Sequence, residues 1–129
     1  MFHKSLGIAA LLAFYSFTAA VEPAKESLTD VKKDVQSGKA VLIDVREIDE
    51  WNDGHLREAK SLPLSELKKG LKPEKLKMLI PSGKAVYLHC ASGIRSFKAA
   101  DVLKSAGIET KPLKAGYSDL LKAGFEQAK

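Results

Sequence analysis

The chain's one cysteine, Cys90, stands in the stretch HCASGIRS, His89 to Ser96. It follows the apolar run AVYLH and precedes a helical pattern, which puts the thiol at the carboxyl end of a strand, where ligands bind in open α/β sheets. Ala91, Ser92, Gly93, Ile94 and Arg95 can wrap their backbone N–H groups around a point above the sulfur. The helix start supplies further unpaired N–H groups and a partial positive charge. Both effects favour a thiolate. Gly93 allows a tight turn with positive φ, and Arg95 can aim a fixed cation at an anionic substrate. The expectation is a nucleophilic sulfur, open to solvent, in an anion-binding cup of main-chain amides. An unpaired cysteine is most often an inert buried side chain. Here the strand, the glycine, the arginine and the helix together favour chemistry.

A single cysteine excludes an internal disulfide, a CxxC redox pair and a thiolate zinc site. The three histidines, His3, His55 and His89, lack metal-ligand spacing, so neither a metal nor a cofactor is expected. The formal net charge is +5, with lysines and acids interspersed as on solvated helical surfaces. No dense arginine tract or aromatic interleaving points to nucleic acid. The modest positive excess favours approach of a small anion.

The basic start Met1 to Lys4, the apolar Leu6 to Phe17 and the small residues Thr18, Ala19 and Ala20 predict an export signal over residues 1–20, cleaved after Ala20. The apolar run is well short of the roughly 20 residues that span hydrocarbon, so no stable membrane insertion is expected afterwards. A periplasmic location follows if the cell is a Gram-negative bacterium. Residues 21–129 then form one domain by length.

Within that domain Ser27 caps a helix carrying Leu28, Val31 and Val35, and Gly38 ends it. AVLIDV, Ala40 to Val45, and AVYLH read as strands buried on both faces. EIDEWNDG gives one helical turn closed by Gly54, and AKSLP a short strand. Ser65 to Lys69 and Pro73 to Ile80 read as short helices. Ser96 to Ala106 is a longer one, capped by Ser96, which is also available for a hydrogen bond to the loop, with Phe97, Ala100, Val102, Leu103 and Ala106 for packing and Gly107 as terminator. IETKPL supplies a last strand and YSDLLKAG a last helix. This alternation implies an α/β fold with a parallel sheet covered on both faces.

Three blocks carry a resemblance: DVREIDEWNDGHLREAKSLPLSEL (Asp44 to Leu67), CASGIRS (Cys90 to Ser96) and LKAGYSDLLKAG (Leu113 to Gly124). In order and spacing they resemble the three characteristic regions of the rhodanese, or sulfurtransferase, domain, in its small, single-domain, exported bacterial form. The resemblance implies a five-stranded parallel sheet flanked by helices on both faces, and a loop cysteine that carries a persulfide. Cys90 would accept the sulfur, with Arg95 beside it and Ala91, Ser92, Gly93, Ile94 and Ser96 around the bound group. Cys90 through Arg95 has the six-residue loop of sulfurtransferases, whereas related phosphatases add one residue for a tetrahedral oxyanion. The implied partners are a small anionic sulfur donor such as thiosulfate and a cyanide or thiol acceptor. A persulfide carrier serving a protein partner, and a cysteine phosphatase, are the alternatives.

Asp44 and Arg46 look like the family's DxR element at a strand end, and Arg46 is expected to pair with Glu50 one helical turn later, as a scaffold contact. His55, in GHL, is expected to be held by local hydrogen bonds, and Trp51 to pack. His89 faces away from Cys90, because successive strand residues point to opposite sides. The chain departs from the family pattern at Arg57, Glu58 and Ala59, at the Ala115-Gly116 pair and at Leu120, which bears on the pocket rim more than on the cup.

Overall fold

The computed structural model describes residues 20–129, so the expected export signal lies outside the described residues except for Ala20. Ser27 opens the first helix: its Oγ accepts the Asp30 amide at 3.1 Å ahead of α1 (Leu28–Gln36), whose Val31 and Val35 are buried. Then come β1 (Ala40–Asp44), α2 (Ile48–Asp53), β2 (Ala59–Ser61), α3 (Leu64–Lys69), α4 (Pro73–Leu79), β3 (Ala85–His89), α5 (Arg95–Ser105), β4 (Lys111–Pro112) and α6 (Tyr117–Lys122). The four strands are parallel, in the order β2-β1-β3-β4.

The two apolar runs form the central pair, and every residue of β1 is buried. Their side chains alternate between two cores. Val41, Ile43, Val86 and Leu88 pack with Leu64 and Leu67 of α3 and with Ala99, Ala100 and Leu103 of α5. Leu42 and Tyr87 face the other way, onto Val31 and Val35 of α1 and Leu120 of α6. Helices on both faces explain why these strands read as continuous apolar runs.

Three expectations change. The sheet has four strands among the described residues, where the resemblance implies five. The segment before α1 does approach β4, but with one backbone bond, Ala24 N–H to Pro112 O at 2.8 Å. Pro23 and Pro112 have no amide hydrogen, so a ladder there lacks donors. For the same reason the last strand shrinks from IETKPL to two residues, although the Leu113 amide still reaches the Leu88 carbonyl at 2.9 Å. Finally, α5 starts at Arg95, and its buried stripe is Ser96, Ala99, Ala100 and Leu103. Ala106 lies past its end and is exposed.

β1 leads to β2 on one side and β3 to β4 on the other, so the chain segments leaving β1 and β3 diverge and open the crevice typical of a switch point. Asp44 and His89 are paired in register at that end. Cys90 is the next residue.

Candidate active site

The Cys90 loop leaves β3 at the crevice and turns back over its own sulfur. The Gly93 amide donates to Cys90 Sγ at 3.1 Å and the Ser96 amide, in the first turn of α5, at 3.4 Å. Burial pushes the thiol up; the amides of Ser96, Ser92 and Gly93 and the Ser96 hydroxyl pull it down, and the balance lies below the ordinary thiol value. The amides therefore face the sulfur as expected. Access does not match: Cys90 is 0% exposed, so the loop closes the cup that was expected to be open. Ala91, Ser92 and Ile94 form the exposed outer surface of that loop.

A second segment, Leu113 to Tyr117, clamps the loop from behind. Ser96 Oγ donates to the Leu113 carbonyl at 3.1 Å, and the Tyr117 amide donates to the Cys90 carbonyl at 2.9 Å. Gly93 has φ +83°, and a Cβ there would lie 2.3 Å from the Lys114 carbonyl oxygen. Space and backbone angle both require glycine. Ser96 is thus not the helix cap expected of it. Ile94 occupies the cap position without a side-chain bond, because the Ser96 amide and hydroxyl are engaged with the sulfur and with Leu113.

The charged residues pair differently from the expected pattern. Arg46 does not reach Glu50; its guanidinium makes a two-nitrogen contact with Asp44, including Nη2 to Oδ2 at 2.9 Å, and Nη2 also donates to the Gly54 carbonyl at 2.7 Å. Arg46 precedes α2, whose cap is Glu47, so the one-turn spacing does not operate on it. Asp44 is fully buried, and Arg46 lies 4.1 Å above the Tyr117 ring. Glu50 instead takes Arg95 in a bidentate pair, Oε1 to Nη1 at 2.5 Å and Oε2 to Nη2 at 2.9 Å. Arg95 holds the Glu50 carboxyl down at about 2. The cation expected to stand free for an anion is already occupied.

His55 is held locally, its Nδ1 3.0 Å from the Trp51 carbonyl oxygen and its ring stacked on Trp51 at 3.6 Å. His89 points to the core face opposite Cys90. It is 0% exposed, 3.7 Å from Asp44 and near the Tyr117 ring, and neither ring nitrogen has a hydrogen-bond partner. Burial keeps it below its ordinary pKa, against the pull of Asp44. Sequence reasoning missed the Glu50–Arg95 pair and the clamp by residues 113–117; the latter lies within the third block, where Gly116 was the available signal. Among the described residues, no group of three or more His, Cys, Asp or Glu side chains could hold a metal ion. No helix among them is long and apolar enough to cross a membrane.

Residues 27–123 match the rhodanese-like domain family. The chain belongs to that family, whose chemistry is of the sulfurtransferase type. It is 42% identical over 80 residues to the uncharacterized protein YqhL of Bacillus subtilis, covering 61% of this chain and 59% of that protein's length. It is 31% identical over 121 residues to a Schizosaccharomyces pombe protein named "Putative thiosulfate sulfurtransferase, mitochondrial", covering 83% of this chain and 85% of that one. The structure of the human single-domain sulfurtransferase TSTD1 superposes with a TM-score of 0.63 at 25% identity, covering 78% of this chain and 96% of that one.

Proposed function

We propose that the protein transfers a sulfane sulfur through a persulfide on Cys90. The observation that carries this reading is the convergence of the Gly93 and Ser96 amides on Sγ, which favours the ionised sulfur without a general base. The Cys90 thiolate attacks the outer sulfur of thiosulfate or a similar donor. A new S–S bond forms, the donor's S–S bond breaks, and its electron pair leaves with sulfite. The negative charge then rests on the terminal sulfur of Cys90, within reach of the loop amides, much as donors stabilise an oxyanion. Cyanide or a thiolate attacks that sulfur, leaves as thiocyanate or a persulfide, and restores the thiolate. Two half-reactions on one residue give ping-pong kinetics.

Two observations favour a second reading, a persulfide carrier that discharges only to a docked protein. Cys90 has no exposed surface and Arg95 is paired, so small reagents meet a closed site. We further propose that residues 1–20 direct export and that residues 21–129 act outside the cytoplasm, which amino-terminal sequencing of the mature protein checks.

The test is intact-mass measurement after exposure to thiosulfate. The expected result is a gain of one sulfur atom that is absent in Cys90→Ser. Thiocyanate release on adding cyanide identifies the enzyme; a retained sulfur, released only by a protein partner, identifies the carrier. No mass gain with any sulfane donor overturns both.

A further inference from the structure

The cation of the Cys90 loop does not face the mouth alone. Glu50 saturates one edge of the Arg95 guanidinium with two hydrogen bonds, and Glu47 also acts on it electrostatically. Both carboxylates are fixed. Glu50 Oε1 accepts the Glu47 amide at 3.2 Å, and Glu47 Oε2 takes the Ser65 hydroxyl at 2.5 Å. Against these stands one guanidinium, and the sulfur itself adds a further negative charge in its reactive form. Glu50 therefore cancels the charge of the one guanidinium that the Cys90 loop carries, although the whole chain is net positive at +5.

We propose that Glu50 is a specificity-determining residue: by occupying Arg95 it disfavours dianionic donors and selects sulfane donors carrying at most one negative charge, such as thiosulfonates or small organic persulfides. This rests on the sulfur-transfer reading above. A donor must bring its leaving group close to the loop to present its outer sulfur to Sγ. A dianion there meets a guanidinium whose charge Glu50 already cancels, and like charges at a partly buried site repel strongly. A monoanion meets half that repulsion, and the amides that receive its sulfur are the same.

The experiment compares the wild type with Glu50→Gln, which keeps the side-chain shape and one acceptor for Arg95 but removes the charge. Two ratios are read. The first is kcat/KM for dianionic thiosulfate over monoanionic methanethiosulfonate. The second is the rate of Cys90 alkylation by iodoacetate over that by neutral iodoacetamide, which needs no sulfur transfer at all. Both ratios should rise by roughly tenfold in Glu50→Gln and stay near wild type in Glu50→Asp, which keeps the charge. Arg95→Gln leaves the carboxylate uncompensated and should lower both ratios. If all rates move together and the ratios stay fixed, Glu50 only braces the loop and the proposal is overturned. Should neither donor load the wild type, the sulfur-transfer reading fails, and the alkylation ratio alone decides the charge claim.

Discussion

Gly116 lies so close to the Ala91 carbonyl that a Cβ on it would sit 1.9 Å from that oxygen. The contact ties the loop that carries the sulfur to the start of α6, next to the Tyr117 amide that holds the Cys90 carbonyl. Gly116 itself has φ −90°, which any residue adopts, so the contact alone bars a side chain.

Gly116→Ala should therefore push the loop outward, lower stability by about 1–3 kcal/mol and raise the Cys90 pKa as its amides move off the sulfur. Denaturant titration and the ultraviolet absorbance of the thiolate read the two effects. Gly38→Ala is the control: it has φ +80° but open space around it, so it should cost about 1–2 kcal/mol of backbone strain and leave the thiol unchanged.

His89 predicts an acid weakness. It is buried, unbonded and held below its ordinary 6.5. The unfolded chain then takes the proton first, so stability should be level above about 6.5 and fall as pH drops below it. Asp44 and the Tyr117 ring face the buried ring, and burial and the Arg46 charge oppose its protonation against the pull of Asp44. His89→Phe should flatten this limb of the curve in urea midpoints measured against pH. An unchanged limb would assign the acid loss to other groups.

Glu50 predicts a loss of the same sign in a lower pH window. Its folded value is about 2 against an ordinary 4.5, so the pair with Arg95 contributes fully above 4.5 and is lost as pH falls through about 2. The stability difference between wild type and Glu50→Gln should be constant near neutrality and shrink only in that acid window. Denaturant midpoints across the window check it.

Much of this site could be read before the fold was seen, and the misreadings have a common cause. AVLIDV and AVYLH became the central strands because apolar residues on both faces admit little else, and Cys90 then had to lie at the switch point. Local spacing misled where the partner was remote. Arg46 and Glu50 are four apart, but only Glu50 is in the helix; Arg46 turns back to Asp44 and Glu50 finds a residue 45 positions away. Ser96 looks like a cap because serine favours caps, yet the sulfur and the Leu113 carbonyl claim it. The missing strand follows from two prolines whose lack of N–H groups is plain in the sequence, but whose proximity is not.

The most direct measurement is the titration of Cys90, the only thiol in the chain, by thiolate absorbance in the folded and the urea-unfolded protein. If the Gly93, Ser92 and Ser96 amides hold an ionised sulfur, the folded inflection falls below the unfolded one, and Gly116→Ala moves it back upward. A folded inflection at or above the unfolded value would mean that burial wins over the amides, and Cys90 would then be an inert core residue.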